Sequence, residues 1–176
     1  DLPADLKWEN GADVPEFADP QAKRGGTLHF WIDDFPRTLR LVGPDANGSF
    51  RSFIFDDVGM ALLGNVTLQV QPNTGQYYPG LAKEWALGAD GRTMYFKLDP
   101  DARYSDGVPV RVGDFFFAFF FFRSTYINDP WSNGYYNSNF TKITKYDDTT
   151  FSMTWKEAKP DIYDRLGSCY PVPEHF

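Results

Sequence analysis

Residues 114–123 read DFFFAFFFFR, and no other stretch limits the fold as tightly. A surface helix alternates apolar and polar residues at a period of about 3.6. This one is aromatic nearly all round. Three or four of its rings can face one core, and the others need a second contact surface or stand exposed. Each fully buried Phe contributes about 1.5–3 kcal/mol, whereas exposed ones form an adhesive patch. The fold must therefore supply a sheet on one side, with covering loops or a docking partner on the other. The run is far short of the roughly 20 apolar residues that a spanning helix needs.

The sheet is written into alternating segments. Thr93–Leu98 puts Met94, Phe96 and Leu98 on one face and Thr93, Tyr95 and Lys97 on the other. Thr150–Lys156 repeats the pattern with Phe151, Met153 and Trp155. The turn Tyr146–Thr149 precedes it, so Lys142–Lys145 is its expected hairpin partner. Asp90-Gly91 and Asp106-Gly107 are tight turns, because Gly takes positive φ with little steric penalty. Thr27–Ile32 is expected as a first strand, with His29 a sheet residue. Asn65–Val70 is expected as another strand. Phe53–Leu63 has a helical tendency, and Leu81–Trp85 reads as a brief helix or turn. Residues 1–26, with Pro3, Pro15, Pro20 and Gly25-Gly26, read as an extended arm. Residues 33–52 read as a long loop, which in a compact protein is functional or disordered more often than idle.

Composition removes several classes of function. The net charge is -7, so the basic stripe that meets phosphates is lacking and nucleic acid is not an expected partner. The single cysteine, Cys169, allows no internal disulfide and reads as a small buried hydrophobe. His29 and His175 lie far apart and no C-x-x-C occurs, so no metal or cofactor is expected. No nucleophile elbow, zinc helix, P-loop or dinucleotide fingerprint is present, so no catalytic residues are assigned. The pairs Asp33-Asp34, Asp56-Asp57 and Asp147-Asp148 read as turn and surface residues, since neighbours on a strand point to opposite faces. Aromatics are abundant, with 17 Phe, 10 Tyr and 5 Trp. They serve either a β-rich core or an aromatic-lined pocket.

Residues 79–123 as a whole carry a resemblance. Pro79, Gly80, Leu81, Ala82, Glu84, Trp85, Asp90-Gly91, Tyr95, Phe96, Leu98, Ser105-Asp106-Gly107, Pro109, Asp114 and Arg123 follow the order and spacing of a signature. It resembles that of family 5 extracytoplasmic solute-binding proteins, the peptide-binding components of ABC importers. Gly25–Leu28 is similar to their first strand, Tyr146–Phe151 to their late hairpin, and Pro160–Leu166 with Pro171–His175 to the segment returning to the main lobe. Arg111 stands where a Thr or Ser cap is usual, so the N-terminus of the aromatic helix is expected to fray. Asp99–Arg103 and Val112-Gly113 are further departures.

The resemblance implies an α+β, mixed α/β fold: part of lobe I of a two-lobed periplasmic-binding-protein-like architecture, with its small β-rich extra subdomain. Residues 1–58 would be the arm and the first segment of lobe I. Residues 59–173 would be the subdomain, and 174–176 the start of the return. These proteins are much longer, so a missing C-terminal part is implied; if the protein is exported, Asp1 lies near the mature start. The implied activity is capture without chemistry, in the periplasm or on the outer cell face, with a peptide ligand and membrane permease subunits as partners. Two segments fall at the cleft by this analogy: the loop Asn47, Gly48, Ser49, and an aromatic loop with Trp131, Tyr135 and Tyr136. The second could equally be a loop capping the subdomain. Relatives binding oligosaccharides or nickel complexes leave the solute class open. Residues 114–123 could instead make the chain an interaction module, and an extracellular hydrolase is the remaining alternative.

Overall fold

A computed structural model of the chain describes residues 1–23, 25–27, 29–31, 34–35, 37–38, 43, 45–46 and 66–175. The expected helix at 53–63 and the loop residues Asn47, Gly48 and Ser49 lie outside them. The order of elements is β1 (Leu68–Val70), β2 (Tyr77–Pro79), β3 (Ala82–Leu87), β4 (Thr93–Leu98), α1 (Val112–Arg123), α2 (Pro130–Asn139), β5 (Phe140–Lys145), β6 (Thr150–Trp155) and α3 (Ile162–Gly167). Strands and helices are mixed, as the α+β expectation has it. No helix among the described residues is long and apolar enough to cross a membrane.

The main sheet is antiparallel with the order β3-β4-β6-β5; β1 and β2 form a separate hairpin. Phe96 pairs with Phe151 and Met94 with Met153, so the two alternating segments turn the same face to one core. The expected limits of β4 hold, and β6 ends at Trp155. Two aspartates make the sharp turns that align these strands. Asp90 accepts hydrogen bonds from the Arg92 and Thr93 backbone N–H groups at 3.1 and 3.0 Å and from the Thr93 hydroxyl at 2.7 Å. Asp147 accepts in the same way from the Thr149 and Thr150 N–H groups at 2.8 and 2.7 Å. Burial works against both carboxylates, yet these donors hold each below its ordinary pKa.

Residues 81–85 differ from the expected helix or turn. Ala82–Leu87 is a strand, with Trp85 opposite Phe96 and Leu87 opposite Met94. Ala, Lys and Glu favour helix in isolation, but sheet pairing and the burial of Trp85 override that preference. Gly80 has a steric reason: a Cβ there would collide with the Val66 carbonyl. That oxygen accepts from the Leu81 N–H at 2.8 Å.

The expected strand at 27–32 is absent from its described members: Thr27, His29, Phe30 and Trp31 belong to no strand, and Trp31 is 82% exposed. No described strand runs beside them to take up backbone hydrogen bonds. The N-terminal arm is extended, as expected, and is fastened at particular points. Glu9 and Trp85 exchange backbone hydrogen bonds of 2.8 and 3.0 Å along the outer edge of β3. The Lys97 ammonium lies 4.0 Å from the centroid of the Trp8 ring, and the Tyr163 hydroxyl donates to the Glu9 carboxylate at 2.5 Å.

Helix α1 lies on the core face. Phe115, Ala118, Phe119 and Phe122 are buried, Phe116, Phe117 and Phe121 are half-buried, and Phe120 is 61% exposed. Phe115 packs on Phe151 at 4.6 Å between centroids, and Phe119 meets Phe140 edge-on at 6.0 Å. The helix is not frayed at its start. The Asp114 carboxylate accepts from the Arg111 N–H at 2.9 Å, which supplies the return half of a capping box without Ser or Thr. The Val112 N–H donates to the Asp148 carbonyl at 3.1 Å, and the Glu174 N–H reaches Asp114 at 3.3 Å.

Candidate functional site

The run 130–139 is a helix rather than a loop, and this changes what Trp131 can do. Asp129 caps it by accepting from the Ser132 N–H at 3.0 Å, and Pro130 occupies the first turn. Asn133 joins it to α1: its amide donates to the carbonyls of Phe122 and Ser124 at 2.8 and 2.9 Å, closing the aromatic helix at its C-terminus. Asp-Pro was the available signal, since the Asn, Ser and Gly that follow resemble turn composition.

Trp131 and Tyr135 are four residues apart and therefore share a face of α2. Their rings stack at 5.1 Å with an interplanar angle of 7°. Trp131 is 66% exposed, while Tyr135 is half-buried and held edge-on by Trp155 at 5.7 Å and Phe140 at 6.1 Å. Burial pushes the Tyr135 hydroxyl above its ordinary pKa, so it stays a neutral donor at neutral pH. Tyr136 is placed differently. It is stacked on Phe122 at 4.9 Å and on Phe140 at 5.0 Å, and burial raises its hydroxyl well above the ordinary tyrosine pKa, so it packs the base of the cluster. Thus the structure brings Trp131, Tyr135 and Tyr136 together; the partner loop 47–49 lies outside the described residues. Nothing lies within 4 Å of where a Cβ on Gly134 would stand.

Two surface clefts lie elsewhere. One of about 450 Å³ sits between the arm and the first hairpin, against Phe17, Gln71 and Tyr78. Another of about 500 Å³ sits where the arm passes Leu87, Asp90 and Tyr95. Neither includes Trp131. Among the described residues no group of His, Cys, Asp and Glu is arranged to hold a metal ion. Burial pushes the Cys169 thiol up to about 12, which makes it a poor nucleophile. His175 lies 2.9 Å from Asp106, where it ties the last described residues to the Asp106-Gly107 turn. The arrangement suits holding a molecule by contact and hydrogen bonding.

The profile of bacterial extracellular solute-binding proteins, family 5 Middle, matches residues 76–175. A probable ABC transporter-binding protein of Deinococcus radiodurans is 28% identical over 113 residues, covering 61% of this chain and 18% of its own length. A periplasmic alpha-galactoside-binding protein of Rhizobium meliloti is 32% identical over 116 residues, covering 61% of this chain and 16% of its own. Among solved structures, a periplasmic oligopeptide-binding protein from Borrelia burgdorferi superposes with a TM-score of 0.56 at 26% identity, over 68% of this chain and 28% of that one. The chain therefore spans less than a fifth of the length of these two curated relatives.

Proposed function

We propose a function from one premise: the chain belongs to the bacterial extracellular solute-binding proteins of family 5. That family binds solutes outside the cytoplasm and is not enzymatic. In the whole protein this segment helps capture a peptide and deliver it to the membrane permease subunits of an ABC importer. Two lobes close on the extended ligand, backbone groups pair with it as an added strand, and roomy pockets accept its side chains. Residues 59–173 serve as the small subdomain beside lobe I. Asn47, Gly48 and Ser49 approach the ligand backbone, and Trp131 and Tyr135 cover it, with Tyr136 beneath.

The observation that carries this reading is the profile match across 76–175, together with the fold shared with an oligopeptide-binding protein. A second solute class, a glycoside, is favoured by the 32% identity to a protein named for binding alpha-galactosides. The test is calorimetry on the complete protein with a library of short peptides and a panel of neutral oligosaccharides. Heat and a thermal shift with peptides support the first reading; a response to sugars alone transfers support to the second. No response to either removes both.

A further inference from the structure

The main sheet has two borders, and they differ. On β3 the arm is already in place, and Trp85 exchanges both backbone hydrogen bonds with Glu9. On β5 no described segment takes the corresponding position. Tyr146 donates to the Thr150 carbonyl at 2.9 Å, which fixes the phase of the β5–β6 ladder. Thr144, opposite Ser152, therefore turns its N–H and C=O inward to β6. Ile143 and Lys145, opposite Met153 and Phe151, turn theirs outward. None of these outward groups has a partner among the described residues. Donors and acceptors repeated at i and i+2 are what one added strand requires. The border is also held in shape, because Ile143 is half-buried against the core.

Side chains at this border select the charge of a partner. The chain carries a net charge of -7, yet Lys142, Lys145 and Lys156 gather here. Lys142 is exposed and has no ion pair among the described residues. The same holds for Lys156, which follows β6 and whose N–H meets the Asn139 carbonyl at 2.6 Å, beside the start of β5. Lys145 is engaged by Asp148 at 2.5 Å, and Asp147 is occupied by the backbone of its own turn. A second copy of β5 would bring lysines together, which is unfavourable across a strand pair. A strand carrying Asp or Glu gains charge-assisted contacts at the same positions.

We propose that the open border of β5 is a docking edge for an extended acidic segment of another protein, added to the sheet as a further strand. The outward backbone groups of Ile143 and Lys145 pair with that segment, and Lys142 and Lys156 meet its carboxylates. The partner here is a protein chain at the sheet border and not the captured solute, so the inference stands apart from the choice between peptide and glycoside.

The test uses the complete protein with two end-blocked probes, acetyl-Glu-Val-Glu-Val-Glu-Val-amide and its Lys-Val counterpart. Binding is followed by calorimetry, and amide hydrogen exchange is read at Ile143 and Lys145. The Glu-Val probe is expected to bind, to slow exchange at these two amides, and to weaken as salt rises. The Lys-Val probe is expected not to bind. Lys142→Glu should weaken the Glu-Val probe by about tenfold. Lys145→Pro should abolish its binding, since proline is tolerated on an edge strand but removes an outward N–H. Should the proline variant fail to fold, Lys142→Glu, at an exposed side chain, still decides the matter. Equal binding of both probes overturns the selection of an acidic partner. Binding of the Glu-Val probe that neither variant changes places it elsewhere and overturns the docking edge. Slow exchange at both amides in the protein alone, with neither probe bound, shows that the rest of the chain covers this border and overturns the proposal. Rapid exchange with neither probe bound overturns it as well.

Discussion

Phe119 and Phe120 are adjacent in sequence and opposite in environment. One ring is 3% exposed, edge-on to Phe140 with the Arg123 guanidinium 4.7 Å from its centroid; the other is 61% exposed. The same division runs along the helix. Phe115, Phe119 and Phe122 enter the sheet core, whereas Phe117 and Phe121 stack on each other at 5.6 Å on the far side. Helix α2 repeats it, with Tyr136 enclosed and Trp131 open. Residue type does not decide which aromatics build the fold and which present a surface. Position on the helix does, because the sheet offers only one face.

This contrast can be broken by substitution in the complete protein, followed by urea unfolding. Phe119→Ala should be the most damaging change, at about 3–5 kcal/mol, because it deletes a buried ring from a packed core. A loss under about 1 kcal/mol would mean that the inner face is not packed as described. Asp114→Ala should cost about 1–3 kcal/mol, since it removes a buried carboxylate that accepts from the Arg111 and Glu174 N–H groups; Asp114→Asn should recover part of this.

A pH titration sharpens the enclosed side. Burial, then the Asp164 carboxylate, raises Tyr77 to about 12, and burial also raises Tyr104, Tyr136 and Tyr163. Below the ordinary tyrosine value near 10 both folded and unfolded chains keep these protons. Between about 10 and 12 the unfolded chain releases them first, so stability should fall steadily as pH rises through that window. A flat melting temperature from pH 9 to 12 would contradict the burial of these hydroxyls. Gly134→Ala should stabilise by about 0.5–1 kcal/mol, read as a higher unfolding midpoint. Phe120→Ser should change stability by less than about 0.5 kcal/mol. A loss above about 1.5 kcal/mol there would show that another part of the complete chain covers the outer face.

Much of the sheet was legible because period-two alternation is a strong local signal. Met94, Phe96, Leu98, Phe151, Met153 and Trp155 all point where their spacing says. The division within residues 114–123 was legible only as a number of rings. Which rings turn inward depends on where β6 lies, and a helix that is apolar all round carries no phase of its own. Ala82–Leu87 was misread because a short apolar run has no clear period, and its strand state comes from β4. The cap on α1 was missed because Asp114 does from inside the helix what Ser or Thr does from outside. At Trp131 the aromatic cluster was legible, and its helix was hidden by loop-like composition. Trp131, Tyr135 and Tyr136 are brought together by i,i+4 geometry and by Phe140 at the start of β5, and neither could be read before the helix was known.

The pairing of Glu9 with Trp85 also bears on solubility. A sheet with the order β3-β4-β6-β5 has two open borders, each a template on which a second chain could grow. On β5 that invitation is blunted by exposed Lys142 and Lys145, whose like charges repel a copy of themselves. No such guard stands in the middle of β3, where Trp85 and Ala86 are adjacent, and the arm occupies the place instead. Through Glu9 the arm therefore shields one point of that rim, and removing the first nine residues should raise self-association, read by light scattering.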